Sequence, residues 1–73
     1  MPQLTTQTWA DGFGVWHASV PISGSPMRDA LTARKAILAE LEARERHLDP
    51  SRVHVTREHV TNHGTVHYVE KSY

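Results

Sequence analysis

Six histidines are the residues of this 73-residue chain whose type and number point most directly to chemistry. Three of them, His59, His63 and His67, recur at four-residue intervals in the last third of the chain. Neutral imidazole is a common zinc ligand, and two such rings on paired strands can share one metal with Glu58 or a water completing the shell. No standard zinc spacing accompanies them, so we favour exposed strand histidines and expect no metal or other cofactor.

The sequence evidence for a catalytic site is weaker than that for a metal site. His17 has the chemistry of a base, and Ser19 and Ser23 have that of nucleophiles, but no Gly-x-Ser-x-Gly turn or orienting third group accompanies them. The Gly-x-Gly at Gly12 and Gly14 lacks the third glycine and the helix start of a phosphate site, and a turn explains it better. We therefore predict a protein that is not an enzyme.

The composition limits the classes of partner and the size of the core. Eight basic and eight acidic residues give a formal net charge of 0, which argues against general binding of nucleic acid or membranes through long-range electrostatics. Protonating all six histidines would raise that charge to about +6. One small core is expected, without disulfides because cysteine is absent. The first residues show neither a basic region nor an apolar run, so we expect a cytoplasmic protein.

One long segment, residues 25–48, has helical periodicity and organises the rest. Ser25 is a good N-cap, Pro26 suits the first helical position, and Asp49-Pro50 stops the pattern, which predicts a helix over residues 26–48. Its apolar stripe is expected to contain Met27, Ala30, Leu31, Ile37, Leu38, Leu41 and Leu48.

Arg34 projects from the middle of this predicted stripe. An unpaired charge would be costly there, so we expect its aliphatic stem to lie across the sheet with its guanidinium at a sheet edge or a carboxylate.

A β-hairpin is predicted over residues 4–22. Asp11-Gly12 suits a two-residue type I′ turn, which would set Trp9 opposite Gly14. Trp9 and Trp16 then share one face with Ala18 and Val20, the candidate core face. The opposite face would carry Phe13, Val15 and His17.

A second hairpin is predicted over residues 52–71, with Asn62, His63 and Gly64 as its loop. This register pairs His59 with His67, Val60 with Val66, and Arg57 with Val69. It places Val53, Val55 and Val69 on one face, and Val60, Val66 and Tyr68 on the other. A slip by one residue would exchange the two faces.

These elements predict a single α+β domain of ββαββ order, with a four-stranded, mainly antiparallel sheet and one helix on one face. The first strand is expected beside the third or the fourth. Both sheet faces then carry apolar groups, more than one helix covers, which indicates a protein-interaction surface for a host protein or for a second copy in a homodimer. The candidate interface residues are Trp9, Phe13, Val15, His59, Val60, Val66, His67 and Tyr68.

A binding face for single-stranded nucleic acid is the alternative. Cations and a stackable ring would meet on the sheet, and acidic Glu58 and Glu70 among them argue against it. The residues concerned are His54, Arg57, His59, His67, Tyr68 and Lys71.

At WADGFGVWHASV and REHVTNHGTVHYVE the sequence resembles short uncharacterised proteins encoded by bacteriophages and prophages of GC-rich actinobacteria. That resemblance covers both hairpins and the helix, and it implies a cytoplasmic accessory protein that acts on a host component. VWHASVPISG followed by DALTARKAI is also similar to antitoxin domains of HicB type. This similarity implies an antitoxin-like regulator as part of the alternative function. The chain differs from those domains in having only two strands before the helix and no appended DNA-binding segment.

Overall fold

The structure, a computed structural model, describes residues 5–44 and 49–72 and confirms the predicted ββαββ order. Its elements are β1 (Gln7–Ala10), β2 (Trp16–Pro21), α1 (Pro26–Ala43), a short 3₁₀ turn (Pro50–Arg52), β3 (Val53–Val60) and β4 (Thr65–Ser72). The four strands form one antiparallel sheet, and α1 packs on one of its faces. No helix in the described ranges is long and apolar enough to cross a membrane.

The order of strands across the sheet is β1-β2-β4-β3. Both predicted neighbours of the first strand are therefore wrong, because β2 and β4 pair at the centre and β1 lies at an edge. The physical reason is the helical connection, which carries the chain from β2 over one face to the far edge, where β3 begins.

The helix begins as predicted. Ser25 has extended backbone angles, and its hydroxyl accepts a hydrogen bond from the amide of Arg28 at 3.3 Å, which satisfies a donor without an intrahelical partner. The helix ends at Ala43, with Arg44 as its C-cap. The prediction that the helix continues to residue 48 falls on residues 45–48, which lie outside the described part of the chain.

The buried face of α1 differs from the predicted stripe. Ala33, Ile37 and Leu41 are buried, whereas Met27 and Leu31 are exposed at the rim. The small side chain of Ala33 is fully buried in the core, as expected where a helix approaches a sheet closely. The core consists of Trp16, Ala18, Val20, Ala33, Ile37, Leu41, Val53, Val66 and Tyr68.

One carboxylate is buried with this face. Asp29 is 3% exposed in the first turn of α1, and both of its oxygens lie 3.3 Å from the amide of Ser23, which donates to them. The carboxylate also lies at the positive end of the helix dipole. Asp29 therefore ties the β2–α1 connection to the start of the helix.

Arg34 extends to a sheet edge, as predicted, but its partners are not carboxylates. Its Nε donates to the carbonyl of Val53 at 2.9 Å, and its terminal nitrogen donates to the carbonyl of Pro50. Both acceptors lie where the chain enters β3. Arg34 thus fixes the start of the far edge strand against the helix.

The predicted register of the first hairpin is wrong by three residues. Trp9 pairs with His17 and Ala10 with Trp16, so residues 11–15 form the loop. The cause is the Asp11 carboxylate, whose Oδ1 accepts hydrogen bonds from the amides of Phe13 and Val15 at 2.8 and 3.1 Å. Because the shift is an odd number, it moves Trp9 to the sheet face opposite Trp16.

The second hairpin keeps the predicted pairs His59–His67 and Val60–Val66. A register shift between Arg57 and His59 then places Arg57 opposite Tyr68, so the predicted pairing with Val69 is wrong. Such a bulge puts two residues of one strand opposite one residue of its neighbour. The predicted division of the valines therefore fails, since Val53 and Val55 pack on the same helix-covered side as Val66 and Tyr68, while Val69 lies on the other face.

Candidate functional site

The candidate site is the sheet face turned away from α1, which we call the open face. Residues directly paired across an antiparallel ladder project to the same side, so the position of one identifies its partners. Trp9 pairs with His17, His17 with Val69, Ser19 with His67, and His67 with His59. The open face comprises Gln7, Trp9, His17, Ser19, Pro21, His54, Thr56, His59, Thr65, His67, Val69 and Lys71.

Two of its side chains, His17 and His67, are joined to each other and to an acid in the hairpin loop. Nε2 of His17 lies 2.8 Å from Oδ2 of Asp11, and Nδ1 of His17 lies 2.9 Å from Nε2 of His67. We call Asp11, His17 and His67 the histidine chain. It crosses from the β1–β2 loop over β2 to β4, so its geometry depends on the register of both strand pairs.

The acid at one end sets the direction of the hydrogen bonds. The hydrogen bond with His17 has the largest effect on the pKa of Asp11, and with the hydrogen bonds from the amides of Val15 and Phe13 it lowers this pKa below 3.8. The Asp11 carboxylate is therefore ionised and accepts hydrogen bonds. Nε2 of His17 must then carry the proton that it donates to Asp11. When both rings are neutral, Nδ1 of His17 is the acceptor, and Nε2–H of His67 donates to it.

His67 lies in surroundings that disfavour its charged form. Burial lowers the pKa of His67 below 6.5, the neighbouring His17 and His59 lower it further, and Glu58 on β3 acts in the opposite direction. An added positive charge is therefore better placed on His17, beside the carboxylate of Asp11.

An indole covers both linked imidazoles. The Trp9 ring lies 5.5 Å from His17 at 7° and 5.5 Å from His67 at 20°, measured between ring centroids and ring planes. His59 meets His67 edge-on at 5.1 Å and 81°. Aromatic contacts of this kind contribute about 0.5–1.5 kcal/mol each beyond the area that they bury. Trp9 nevertheless stays 42% exposed, so the cluster presents an aromatic surface outward.

The predicted interface residues do not share one surface of the structure. Trp9, His59 and His67 share the open face. Val66 and Tyr68 are only 1% and 2% exposed beneath α1, so they are not available to a partner. The remaining three predicted residues are exposed Phe13 and half-buried Val15 in the β1–β2 loop, and Val60, which pairs with Val66 on the helix side and is half exposed.

The predicted nucleic-acid face is divided in the same way. His54, His59, His67 and Lys71 belong to the open face, whereas Arg57 pairs with buried Tyr68 on the helix side. The guanidinium of Arg57 and the Tyr68 ring are thus removed from that surface.

The hypothetical zinc ligands do not form a metal centre. His63 lies in the β3–β4 turn, where its amide donates to the hydroxyl of Thr61 at 3.2 Å. Within residues 5–44 and 49–72, no group of three or more His, Cys, Asp or Glu side chains is arranged to hold a metal ion.

A separate groove of about 600 Å³ lies between β1 and the end of α1. On its helix side, the guanidinium of Arg44 lies over the Trp16 ring at 5.0 Å and is 3.9 Å from the carboxylate of Glu40. The groove is lined by Thr8, Trp9, Ala10, Gly14, Trp16, Glu40 and Arg44.

Sequence reasoning missed the link between Asp11 and His17. The useful signal was an aspartate at a turn with a histidine six positions later, since an acid that binds loop amides with one oxygen has a second oxygen for a ring on the next strand. Comparison of the chain with protein-family models, with curated proteins and with solved structures gives no match.

Proposed function

We propose that this protein acts by binding another protein chain through its open face, and that the first occupant of this face is a second copy of the chain. The observation that carries the proposal is the 42% exposed indole of Trp9, which stacks on one histidine from each of the central strands β2 and β4, on a sheet face against which no described element packs. Tryptophan held in a fixed orientation is a frequent anchor of protein interfaces.

The open face has the size that an interface requires. The strands have 4, 6, 8 and 8 residues, each with a rise of about 3.3 Å, and neighbouring strands lie about 4.8 Å apart. The projected area of the face is therefore about 410 Å², and side-chain relief adds to the accessible area. Standard interfaces bury about 800 Å² per partner, so one such face is of the right order.

Charge favours a second copy as the occupant. The formal net charge is 0, so two copies do not repel one another at long range near neutral pH. The open face and its border also combine both signs, with Lys71 on the face and the acids Asp11 and Glu58 beside it. A twofold dimer brings one patch against itself, and mixed charge allows that contact.

The resemblance to short phage and prophage proteins is compatible with this proposal. It implies a small cytoplasmic accessory protein without catalysis, whose dimer or exposed face engages a host component. A host protein is then the occupant if the chain proves monomeric.

Sedimentation velocity tests the proposal. We expect a species of twice 8.2 kDa at neutral pH. Trp9→Glu places a charge in the proposed interface and should give the monomer. Met27→Glu is the matched control, because Met27 is 76% exposed on α1, away from the open face, and should leave the dimer intact. A monomeric wild-type chain at high concentration would refute self-association, and equal effects of the two substitutions would refute the assignment to this face.

Single-stranded nucleic acid is the second candidate, and the observation that favours it is again the exposed indole of Trp9, a stacking surface on the same face as His59 and Lys71. Binding of a mixed oligonucleotide should then weaken steeply as salt is added, and Trp9→Ala should weaken it further. Binding that is absent at low salt, or indifferent to salt, eliminates this candidate.

A further inference from the structure

The histidine chain has a property that ordinary surface histidines lack, because its two rings share one hydrogen bond. With both rings neutral, Nε2–H of His67 donates to Nδ1 of His17, and Nε2–H of His17 donates to Asp11. The ring nitrogens that lie between Asp11 and His67 are then each matched with a partner, and Nδ1 of His67 remains as the site for an incoming proton.

A first proton can bind without breaking a hydrogen bond of the histidine chain. It binds Nδ1 of His67, while the proton on Nε2 of His67 moves across the 2.9 Å bond to Nδ1 of His17. The positive charge then lies on His17, 2.8 Å from the Asp11 carboxylate, and His67 is neutral with Nε2 as the acceptor. One proton enters and none leaves, and the number of hydrogen bonds is unchanged.

A second proton must break the hydrogen bond between the two rings of the histidine chain. The facing nitrogens of His17 and His67 would then both carry hydrogens, so neither accepts, and two like charges would lie in adjacent rings. His59 also disfavours a positive charge on His67, and Glu58 is the acid on β3 that opposes this repulsion. The Trp9 ring rests on both imidazoles, so their separation also removes its support.

We infer that Asp11, His17 and His67 form a two-proton switch that keeps the open face ordered with up to one bound proton and disrupts it when a second proton binds. The predicted effect on assembly rests on the proposed dimer, whereas the switch itself is a property of one chain. Acidification would place at least two positive charges on each of the two apposed faces, and the dimer should dissociate.

The pH range follows from the shift of His67. Burial, and then His17 and His59, lower the pKa of His67 below 6.5 in the folded chain. The unfolded chain therefore binds this proton more readily. The stability that neutral His67 contributes is present above pH 6.5 and is lost as the pH falls towards the folded value.

Nuclear magnetic resonance of the six imidazole Cε1–H groups tests the switch. In the wild-type chain, His17 and His67 should titrate as a coupled pair in two separate steps, with the second step at lower pH than the titration of exposed His63. During that second step the resonances of both rings should lose the ring-current shift that the Trp9 indole imposes. A single step shared with His63, or an unchanged ring-current shift, overturns the inference.

Two variants separate the switch from simple unfolding. His67→Gln should abolish the lower step and leave His17 to titrate once. Asp11→Asn keeps an oxygen for the amides of Phe13 and Val15 but removes the negative charge and the acceptor for Nε2–H of His17, so the first step should move to lower pH. His63→Gln is the control and should change neither step. An Asp11→Asn chain that folds and titrates like the wild type overturns the role of the acid.

Sedimentation at the same pH values separates this inference from the proposed function. Two coupled steps together with loss of the dimer support both. Two coupled steps in a chain that is monomeric throughout support the switch and refute the dimer. A dimer that persists through the second step refutes control of assembly, and a dimer without coupled steps refutes the switch while the proposed function stands.

Discussion

Replacing Arg34 tests whether the start of β3 depends on a side chain from the helix. Arg34→Met keeps an unbranched apolar stem of similar helix propensity and removes both donors. Val53 is 1% exposed, and its carbonyl oxygen would lose the partner at 2.9 Å. A buried acceptor left without a partner costs about 1–3 kcal/mol. The carbonyl of exposed Pro50 regains a water molecule and adds little.

We therefore expect the free energy of unfolding to fall by about 2 kcal/mol, the middle of that range. For a chain of this size the corresponding decrease in Tm is about 8–16 °C, at about 4–8 °C for each kcal/mol. Urea unfolding followed by the fluorescence of buried Trp16 measures the first quantity, and thermal unfolding by circular dichroism measures the second.

The matched control is Lys35→Met, the same type of change at the next, exposed position, which should alter stability by less than about 0.5 kcal/mol. Arg34→Lys should fall between the two, since one ammonium retains the charge but not the planar fork that reaches two carbonyls. If Arg34→Met and Lys35→Met are equally stable, the contact with Val53 contributes nothing and the reasoning is refuted.

Three further predictions concern the core. Ile37→Ala, at a fully buried position, should cost about 2–5 kcal/mol in urea unfolding, against about 1 kcal/mol for Ala39→Gly on the exposed side of the same helix. Asp29→Ala leaves the Ser23 amide without its acceptor and should cost about 1–3 kcal/mol, whereas exposed Glu42→Ala should be nearly neutral in the same assay. Burial raises the pKa of Tyr68 above 10.0, so the stability that its neutral phenol contributes is complete below pH 10 and is lost as the pH rises further. Tyr68→Phe should remove this loss of stability at alkaline pH. A variant whose stability has the same pH dependence as the wild type would contradict this prediction.

The element order was predictable because each element has its own local signal. Ser25 and Pro26 mark the start of the helix. Asn62 to Gly64 mark the second turn, and the residue pairs predicted next to it, His59–His67 and Val60–Val66, are confirmed. These signals act over a few residues, so they predict what an element is and where it begins. Sheet order does not follow from them, because the placement of β4 beside β2 depends on contacts between residues about 50 positions apart.

The predicted assignment of residues to the two sheet faces is wrong where one additional residue reverses the alternation of side chains along a strand. The bulge between Arg57 and His59 adds a single residue to β3, which is enough to bring Val53 and Val55 to the helix side. The surplus of apolar groups predicted for the second face is accordingly smaller than expected. What remains on the open face is mainly imidazole and indole, so the case for an interface depends on Trp9 and its neighbours more than on valines.

The first hairpin shows why the candidate site could not be predicted from spacing. Asp11-Gly12 favours a two-residue turn when only backbone conformation is considered. The structure instead uses the side chain of Asp11, whose one oxygen closes the longer loop through two amides while the other holds His17. The two roles are linked, because only the longer loop places His17 opposite Trp9, and the β2–β4 register places His67 on the same face. One carboxylate thus sets the register of the first hairpin and orients His17, so the loop and the site should be lost together in Asp11→Ala, whereas Asp11→Asn should retain the loop and lose the hydrogen bond from Nε2–H of His17.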